Sequence, residues 1–157
     1  MPKSSAGLLM FRRPKGALQI LLAHPGGPFW AKKDDGAWTV PKGEYESPED
    51  PLEAAKREFA EETGFVPKGP FLPLGSLKQP GGKVVSVWAF EADCDPSTLA
   101  SNTFELEWPP KSGRKASFPE VDRVAWFGIA EARTKVLKGQ EGFLHALEKF
   151  FSASPPP

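Results

Sequence analysis

Three glutamates in one short acidic segment are the residues of this chain best suited to chemistry. Glu58, Glu61 and Glu62 recur at spacings of three and four, so on a helix their carboxylates are expected to share one face. Like charges at these spacings destabilise an isolated helix. Hard divalent cations offset such charge, and Mg²⁺ in particular combines a few carboxylates with the phosphates of a substrate. The segment therefore predicts a magnesium site.

The helix that would carry these glutamates has clear start and stop signals. Asp50 is suited to the N-cap, proline follows at the first helical position, and Glu53 lies three residues beyond the cap. Gly64 is typical of a helix end. An apolar stripe at helical spacing is formed by Leu52, Ala55 and Phe59. The carboxylates are thus expected beside the core edge, where a packed sheet would form the other wall of a cleft.

The stretch from Gly43 to Phe65 resembles the Nudix box. The order of its residues is Gly43, five residues, Glu49, seven residues, Arg57-Glu58-Phe59, one residue, Glu61-Glu62, one residue and Gly64-Phe65. Phenylalanine fills both places where the family more often has an aliphatic residue. The resemblance implies the α/β (α+β) Nudix fold, with a mixed β-sheet sandwiched between helices, over about residues 5 to 151.

The resemblance also implies a role for each box residue. Members of the family hold Mg²⁺ on these glutamates, with Mn²⁺ expected to substitute. Glu58 and Glu62 are the first candidates for ligands, and Glu61 is a ligand or orients a metal-bound water. Gly43 is implied to offer its backbone carbonyl to a metal. The remaining pair, Glu49 and Arg57, is implied to brace the loop against the helix.

The general base has two candidate locations, because the family places it either in the box or on a later loop. In the box, Glu58 and Glu61 are the candidates. In the later segment, Glu105 and Glu107 are carboxylates that could reach the metal if the loop closes, although a solvated loop or edge strand is the alternative interpretation.

The lead-in Trp38-Thr-Val-Pro-Lys-Gly43 resembles that of the Nudix branch with dinucleoside polyphosphate hydrolases and diphosphoinositol polyphosphate phosphohydrolases. Lys42 is suited to neutralise a phosphate. Trp38 and Trp108 are candidates to stack on a base, with burial in the core as the alternative. Lys111 and Arg114 could receive remote phosphates or simply solubilise their loop.

A dinucleoside polyphosphate such as diadenosine tetraphosphate is the first expectation for the substrate. The alternatives are the removal of nucleoside triphosphates, the hydrolysis of nucleotide sugars and the hydrolysis of inositol pyrophosphates. A more distant alternative is a non-catalytic module that binds nucleotide or RNA. The intact set of glutamates argues against that module, because binding alone does not need three clustered carboxylates.

Composition excludes several other classes of protein. The 157 residues fit one domain, expected over residues 1–151 with a disordered Pro-rich tail at 152–157. Twenty basic and twenty acidic residues lack the charge excess of a duplex nucleic-acid binder. The chain has no apolar run long enough for a membrane span, and its only cysteine, Cys94, cannot form an internal disulfide. A cytoplasmic protein with a small-molecule nucleotide substrate is expected.

Alternation of apolar residues and turn signals predict the other elements. Strands are expected at residues 7–12, 17–24, 38–40, 71–77, 83–91 and 124–127. Helices are expected at residues 129–137 and 141–151. The polar, proline-bearing connection over residues 94–119 is expected to be either disordered or functional.

Overall fold

Strand β1, Ser4–Arg12, is the central strand of the computed structural model, which describes residues 4–152. The other strands are β2 (Gln19–Pro25), β3 (Lys42–Tyr45), β4 (Leu72–Lys78), β5 (Val84–Glu91), β6 (Thr103–Glu107), β7 (Lys115–Pro119) and β8 (Val121–Gly128). The α-helices are α1 (Pro51–Thr63), α2 (Ile129–Lys135) and α3 (Glu141–Ser152). Of the predicted tail, Ser152 ends α3, and residues 153–157 lie outside the described residues.

The main sheet is mixed. Its order is β4-β5-β1-β2-β8, and β3 also pairs with β1. Strand β1 runs parallel to β5 and antiparallel to both β2 and β3, which share its other edge. The second sheet is the hairpin β6-β7. Because β1 pairs with three strands, residues at its start are held in register with β3 and β5 at once.

Apolar side chains cover both faces of the main sheet. On one face, Ala54, Ala55 and Phe59 of α1 pack with buried residues of β1 and β2. On the other, the buried side chains of α3 pack on Leu9 and on β5. The predicted α+β architecture, with a mixed sheet between helices, is therefore confirmed. Within residues 4–152, no helix is both long and apolar enough to cross a membrane.

The strand predicted at residues 38–40 was placed too early. Trp38 and Thr39 form only isolated bridges, to Val136 and Ala23, and the strand begins after Pro41. Proline has no N–H to donate to a strand ladder. The Pro41 carbonyl instead accepts the Leu8 N–H at 3.2 Å, and regular pairing with β1 starts at the next residue.

The connection over residues 94–119, expected to be either disordered or functional, is largely ordered. Strands β6 and β7 pair in register from Thr103 with Pro119 to Glu107 with Lys115. Phe104 and Phe118 are half-buried on one face of the hairpin, with their rings 6.0 Å apart. Cross-strand packing of these aromatic rings stabilises strands too short and polar to be recognised from periodicity alone.

Candidate active site

Helix α1 begins and ends at the predicted residues. The Asp50 side chain accepts hydrogen bonds from the backbone N–H groups of Leu52 (3.1 Å) and Glu53 (3.2 Å). At the other end, Gly64 has a left-handed φ of 79°, and its N–H donates to the Ala60 carbonyl. Both caps satisfy groups that a helix end leaves without partners. The caps thus fix the length of the helix.

A polar cleft of about 380 Å³ lies where α1 faces the start of β1. Its walls come from β1, β3, α1, the residue preceding β5 and both ends of the β6-β7 hairpin. The lining residues are Ser5, Lys42, Gly43, Glu44, Glu58, Glu62, Lys83, Asn102 and Glu120. Of the predicted site residues, Lys42, Gly43, Glu58 and Glu62 are therefore brought together.

Gly43 lies directly against the side chain of Glu58. A Cβ placed on Gly43 would come within 2.6 Å of Glu58 Cγ and would overlap the carboxylate. Any other residue at this position would displace that carboxylate. The absence of a side chain here lets the β3 backbone and the acidic helix approach closely enough to share one ligand.

Glu58 and Glu62 are two carboxylates partly withdrawn from water on the same wall. Burial, followed by the charge of Glu58, raises the pKa of Glu62 to about 8. Burial is also the largest cause that raises the pKa of Glu58, although Arg57 opposes it. The backbone N–H of Lys42 donates to Glu62 Oε1 at 3.3 Å. Two desolvated carboxylates that repel each other form the kind of site that a cation stabilises.

These groups fit a divalent metal that retains other ligands. Within residues 4–152, no three carboxylate, imidazole or thiol side chains already converge on one point. Mg²⁺ does not require such a cage, because it keeps several waters and uses one or two carboxylates together with substrate phosphates. Glu58, Glu62 and the backbone at Gly43 are therefore a chemically suitable donor set.

Glu61 does not line the cleft, contrary to the expectation that all three carboxylates share one working face. Its side chain is exposed, and Oε1 is 3.5 Å from Arg57 Nη1. At about 100° per residue, Glu58 and Glu62 are about 40° apart around the helix, whereas Glu61 is about 100° from Glu62. Of the three, the closer pair, Glu58 and Glu62, lines the cleft.

Arg57 and Glu49, predicted to brace the loop, form a bidentate ion pair. Arg57 Nε and Nη2 donate to the two carboxylate oxygens of Glu49, each at 2.9 Å. This hydrogen bonding is the main cause that lowers the pKa of Glu49. Arg57 Nη1 also donates to Glu58 Oε2. One guanidinium thus connects the loop before α1 to a carboxylate of the cleft.

Glu120 is the late carboxylate that lines the cleft, whereas Glu105 and Glu107 do not. Glu105 is exposed on β6. Glu107 accepts the backbone N–H groups of Lys111 (3.1 Å) and Gly113 (3.2 Å), so it closes the hairpin turn. Glu105 lies in the middle of β6 and Glu107 at its turn end, so both are beyond the base of the hairpin at the cleft.

Backbone hydrogen bonds hold the base of the hairpin against the end of α1. The N–H of Asn102 donates to the Glu61 carbonyl, and the N–H of Glu120 donates to the Asn102 carbonyl, each at 2.8 Å. Glu120 was missed because its neighbours in sequence carry no motif. Recognition of the β6-β7 pairing would have placed residues 102 and 120 side by side at this position.

The predicted aromatic residues have different environments. Trp38 is 4% exposed, packs edge-on against Phe127, and donates its indole N–H to Asp34 at 2.8 Å. It therefore belongs to the core and not to a substrate surface. Trp108 lies beyond β6 at the tip of the hairpin, where its ring is 5.5 Å from that of Phe29, a side chain that is 61% exposed.

The basic residues of the hairpin turn, Lys111 and Arg114, are exposed and do not reach the cleft. The distance along the hairpin from Asn102 to Trp108 is about 20 Å, at about 3.4 Å per residue. Lys42 does line the cleft, and burial, followed by the charge of Lys83, lowers its pKa. Lys83 itself is a second cleft lysine that sequence patterns did not single out.

Comparison with known proteins agrees with the fold described above. A family model described as the NUDIX domain matches residues 1–147. No curated protein matches the sequence. Solved structures share the fold at low identity, so they inform the architecture alone.

Three of these solved structures illustrate the degree of similarity. An Ap4A hydrolase binary complex from C. elegans has a TM-score of 0.66 and 20% identity, covering 95% of this chain and 98% of its own. The NUDIX domain of Shewanella oneidensis NrtR, complexed with ADP ribose, has a TM-score of 0.66 and 16% identity over 96% and 90% of the two chains. The E. coli ORF135 protein has a TM-score of 0.61 and 19% identity over 99% and 96%.

Proposed function

Because this chain belongs to the Nudix family of pyrophosphohydrolases, we propose that it is a Mg²⁺-dependent hydrolase of dinucleoside polyphosphates. The observation that carries the proposal is the contact between Gly43 and Glu58 beside Glu62, which presents two desolvated carboxylates and a bare backbone to one cleft. Lys42 on the same cleft provides a positive charge for a phosphate.

Glu58, Glu62 and the Gly43 carbonyl would hold Mg²⁺, or Mn²⁺ in its place. When bound, Mg²⁺ supplies Lewis-acid neutralisation of the phosphate oxygens. Arg57 orients Glu58 and is itself oriented by Glu49. Glu61 is exposed outside the cleft lining and has no part in this proposal.

Glu120 would act as the general base. Its position at the base of the hairpin, in the cleft that Glu58 and Glu62 also line, suits a carboxylate that takes a proton from the attacking water. This proposal replaces Glu105 and Glu107, which lie farther along the hairpin. Hydrolysis by water then needs no covalent intermediate on the protein, and Cys94 takes no part.

A long substrate is favoured by the separation of the candidate binding groups. Lys42 lies at the cleft, whereas Trp108, Lys111 and Arg114 lie toward the tip of the hairpin about 20 Å away. A nucleotide with a short phosphate chain would engage one of these sets. A dinucleoside polyphosphate could place its phosphates at the carboxylates and its second nucleoside toward Trp108 and the exposed Phe29.

A substrate panel in ¹⁸O-labelled water tests the proposal. The panel contains diadenosine tetraphosphate, a nucleoside triphosphate, a nucleotide sugar, ADP-ribose and an inositol pyrophosphate, each with Mg²⁺, with Mn²⁺ and with EDTA. We expect the highest kcat/KM for diadenosine tetraphosphate, with activity lost in EDTA. Nucleotide binding without hydrolysis of any compound would instead identify a non-catalytic module.

A further inference from the structure

Lys83 is held in a fixed position at the edge of the cleft. It follows the tight turn before β5, where its carbonyl accepts the Gln79 backbone N–H at 2.7 Å. The Gln79 side chain donates in turn to the Gly139 carbonyl at 2.9 Å, which anchors the turn to the segment before α3. The backbone at Lys83 is therefore anchored, and its long side chain lines the cleft.

An ion pair joins Lys83 to Glu44 across the start of β1. The Nζ and Oε1 atoms are 2.8 Å apart, and the two side chains are 34% and 49% exposed. Strand β3 and strand β5, which Lys83 directly precedes, lie on opposite edges of β1, about 10 Å apart, so two extended side chains are needed to meet. In the free protein, Glu44 thus offsets the charge that Lys83 would present to an anion.

Ser5 lies between these two strands with an unused hydroxyl group. It pairs with Glu44 on one side and with Val85 on the other, and it lines the cleft. Paired residues of adjacent strands project from the same face, so Ser5 and Glu44 share a side of the sheet. The Ser5 hydroxyl is buried and has no hydrogen-bond partner within residues 4–152. A buried hydroxyl without a partner is unfavourable.

We infer that Lys83 and Ser5 form a phosphate subsite that Glu44 masks in the free protein. This inference rests on the proposed function, because the phosphate that displaces Glu44 belongs to a chain held at Glu58 and Glu62. An exposed ion pair is weak, so exchange of its carboxylate for a phosphate costs little. A phosphate also has several oxygens, which can accept from both the Lys83 ammonium and the Ser5 hydroxyl.

The masked subsite selects for the length of the phosphate chain. A substrate that ends at the carboxylates leaves the Lys83–Glu44 pair intact and gains nothing from it. A longer chain opens the pair and gains a charge-assisted hydrogen bond. Glu44 is then a specificity-determining residue, since it sets how much binding free energy a phosphate chain must contribute before Lys83 becomes available.

A double-mutant cycle tests this inference with inorganic tripolyphosphate as the probe. Calorimetric binding at saturating Mg²⁺ is compared for wild type, Glu44→Gln, Lys83→Gln and the double variant. We expect Glu44→Gln to tighten binding about two- to fivefold, the range for an exposed ion pair. Lys83→Gln should weaken binding about tenfold. In the Lys83→Gln background, the gain from Glu44→Gln should disappear.

Glu53→Gln is the matched control, because Glu53 forms a similar exposed ion pair with Lys56 at 2.9 Å on α1, outside the cleft lining. It should leave the affinity for tripolyphosphate unchanged. Equal tightening by Glu44→Gln with and without Lys83 would contradict the masking. So would an affinity that Lys83→Gln does not weaken.

Ser5→Ala provides a second readout. It should weaken tripolyphosphate binding about threefold, a small part of the value of a charged hydrogen bond, without lowering the midpoint of thermal unfolding. A purely structural Ser5 would leave the affinity unchanged and contradict its place in the subsite. Turnover of diadenosine tetraphosphate by the wild type is measured in parallel. Absence of turnover would contradict the proposed function. Equal tripolyphosphate affinities across the double-mutant cycle would contradict the subsite.

Discussion

Gly43 and Glu58 are in direct contact, because the glutamate carboxylate occupies the space in which a Cβ on residue 43 would lie. One strand of the sheet and the acidic helix are thereby brought to a separation that only glycine permits. The contact connects strand β3 to the carboxylate that Arg57 also holds.

Gly43→Ala should therefore abolish activity while the protein still folds. The new methyl group must displace the Glu58 carboxylate, which would separate it from Glu62. We expect kcat to fall by about a hundredfold or more, the range for loss of a positioned charged group. Gly128→Ala is the control, since a Cβ there meets nothing within 4 Å and its φ of −63° suits alanine. Activity within a few-fold of wild type for Gly43→Ala would show that Glu58 is not needed at this position.

Metal-free protein should lose stability as the pH rises. The pKa of Glu62 is raised to about 8 from its ordinary value of 4.5, so between these values the folded state binds a proton that the unfolded state has released. The free energy of unfolding then falls with increasing pH across this window. Thermal unfolding in EDTA, measured from pH 5 to pH 8.5, should show a declining midpoint.

Glu62→Gln should reduce that decline, because glutamine has no proton to lose. Glu61→Gln, on the exposed side of the same helix, is the matched control and should retain the wild-type slope. Mg²⁺ should restore stability most strongly at the upper end of the range, where the carboxylate is ionised. A slope in Glu62→Gln as steep as that of the wild type would assign the pH dependence to other groups.

Arg57→Lys should lower activity more than stability. Lysine cannot form the bidentate contact with Glu49 and also reach Glu58. We expect weaker activation by Mg²⁺ and a decrease of about tenfold in kcat/KM, or about 1.4 kcal/mol. Arg133→Lys disturbs an ion pair with Glu148 of nearly the same exposure, away from the cleft, and should leave activity intact. Equal effects of Arg57→Lys and Arg133→Lys on activity would show that Arg57 has no specific role in the site.

Glu120→Gln should decrease kcat by about a hundredfold or more, as is typical for loss of a general base. Its affinity for Mg²⁺ should change less than that of Glu62→Gln. Glu105→Gln and Glu107→Gln are the comparisons, and we expect near wild-type kcat for the former and a less stable hairpin turn for the latter. A larger loss of kcat for Glu105→Gln or Glu107→Gln than for Glu120→Gln would assign the general base to β6.

Trp108→Ala should raise KM for a dinucleoside polyphosphate while leaving the fold intact. Stacking on a base is worth about 1 to 3 kcal/mol, so an increase of about fivefold or more is expected. Trp38→Ala should instead lower the free energy of unfolding by about 3 to 5 kcal/mol, because it removes a buried ring from the core. An unchanged KM in Trp108→Ala would leave the hairpin tip without a role in binding this substrate.

The features predicted well are those that depend on neighbours in sequence. The caps at Asp50 and Gly64 are formed by hydrogen bonds within a few residues, so the boundaries of α1 follow from local residue types. The alternation in Val84–Glu91 likewise predicts β5 within one residue. The features predicted poorly depend on distant partners. Trp38 is buried because Phe127 and His24 pack against it, and no pattern near Trp38 indicates their presence.

The sequence by itself determined the helix, its three glutamates and the glycine at the start of the motif, because a helical repeat and fixed spacings specify them. Only the tertiary structure decided which carboxylates face the cleft. Helix rotation against the sheet turns Glu58 and Glu62 inward and leaves Glu61 exposed, and pairing of β6 with β7 brings Glu120 to the same cleft. The reason is that side-chain direction and long-range pairing are set by packing between elements, whereas caps and periodicity depend on residues within a single element.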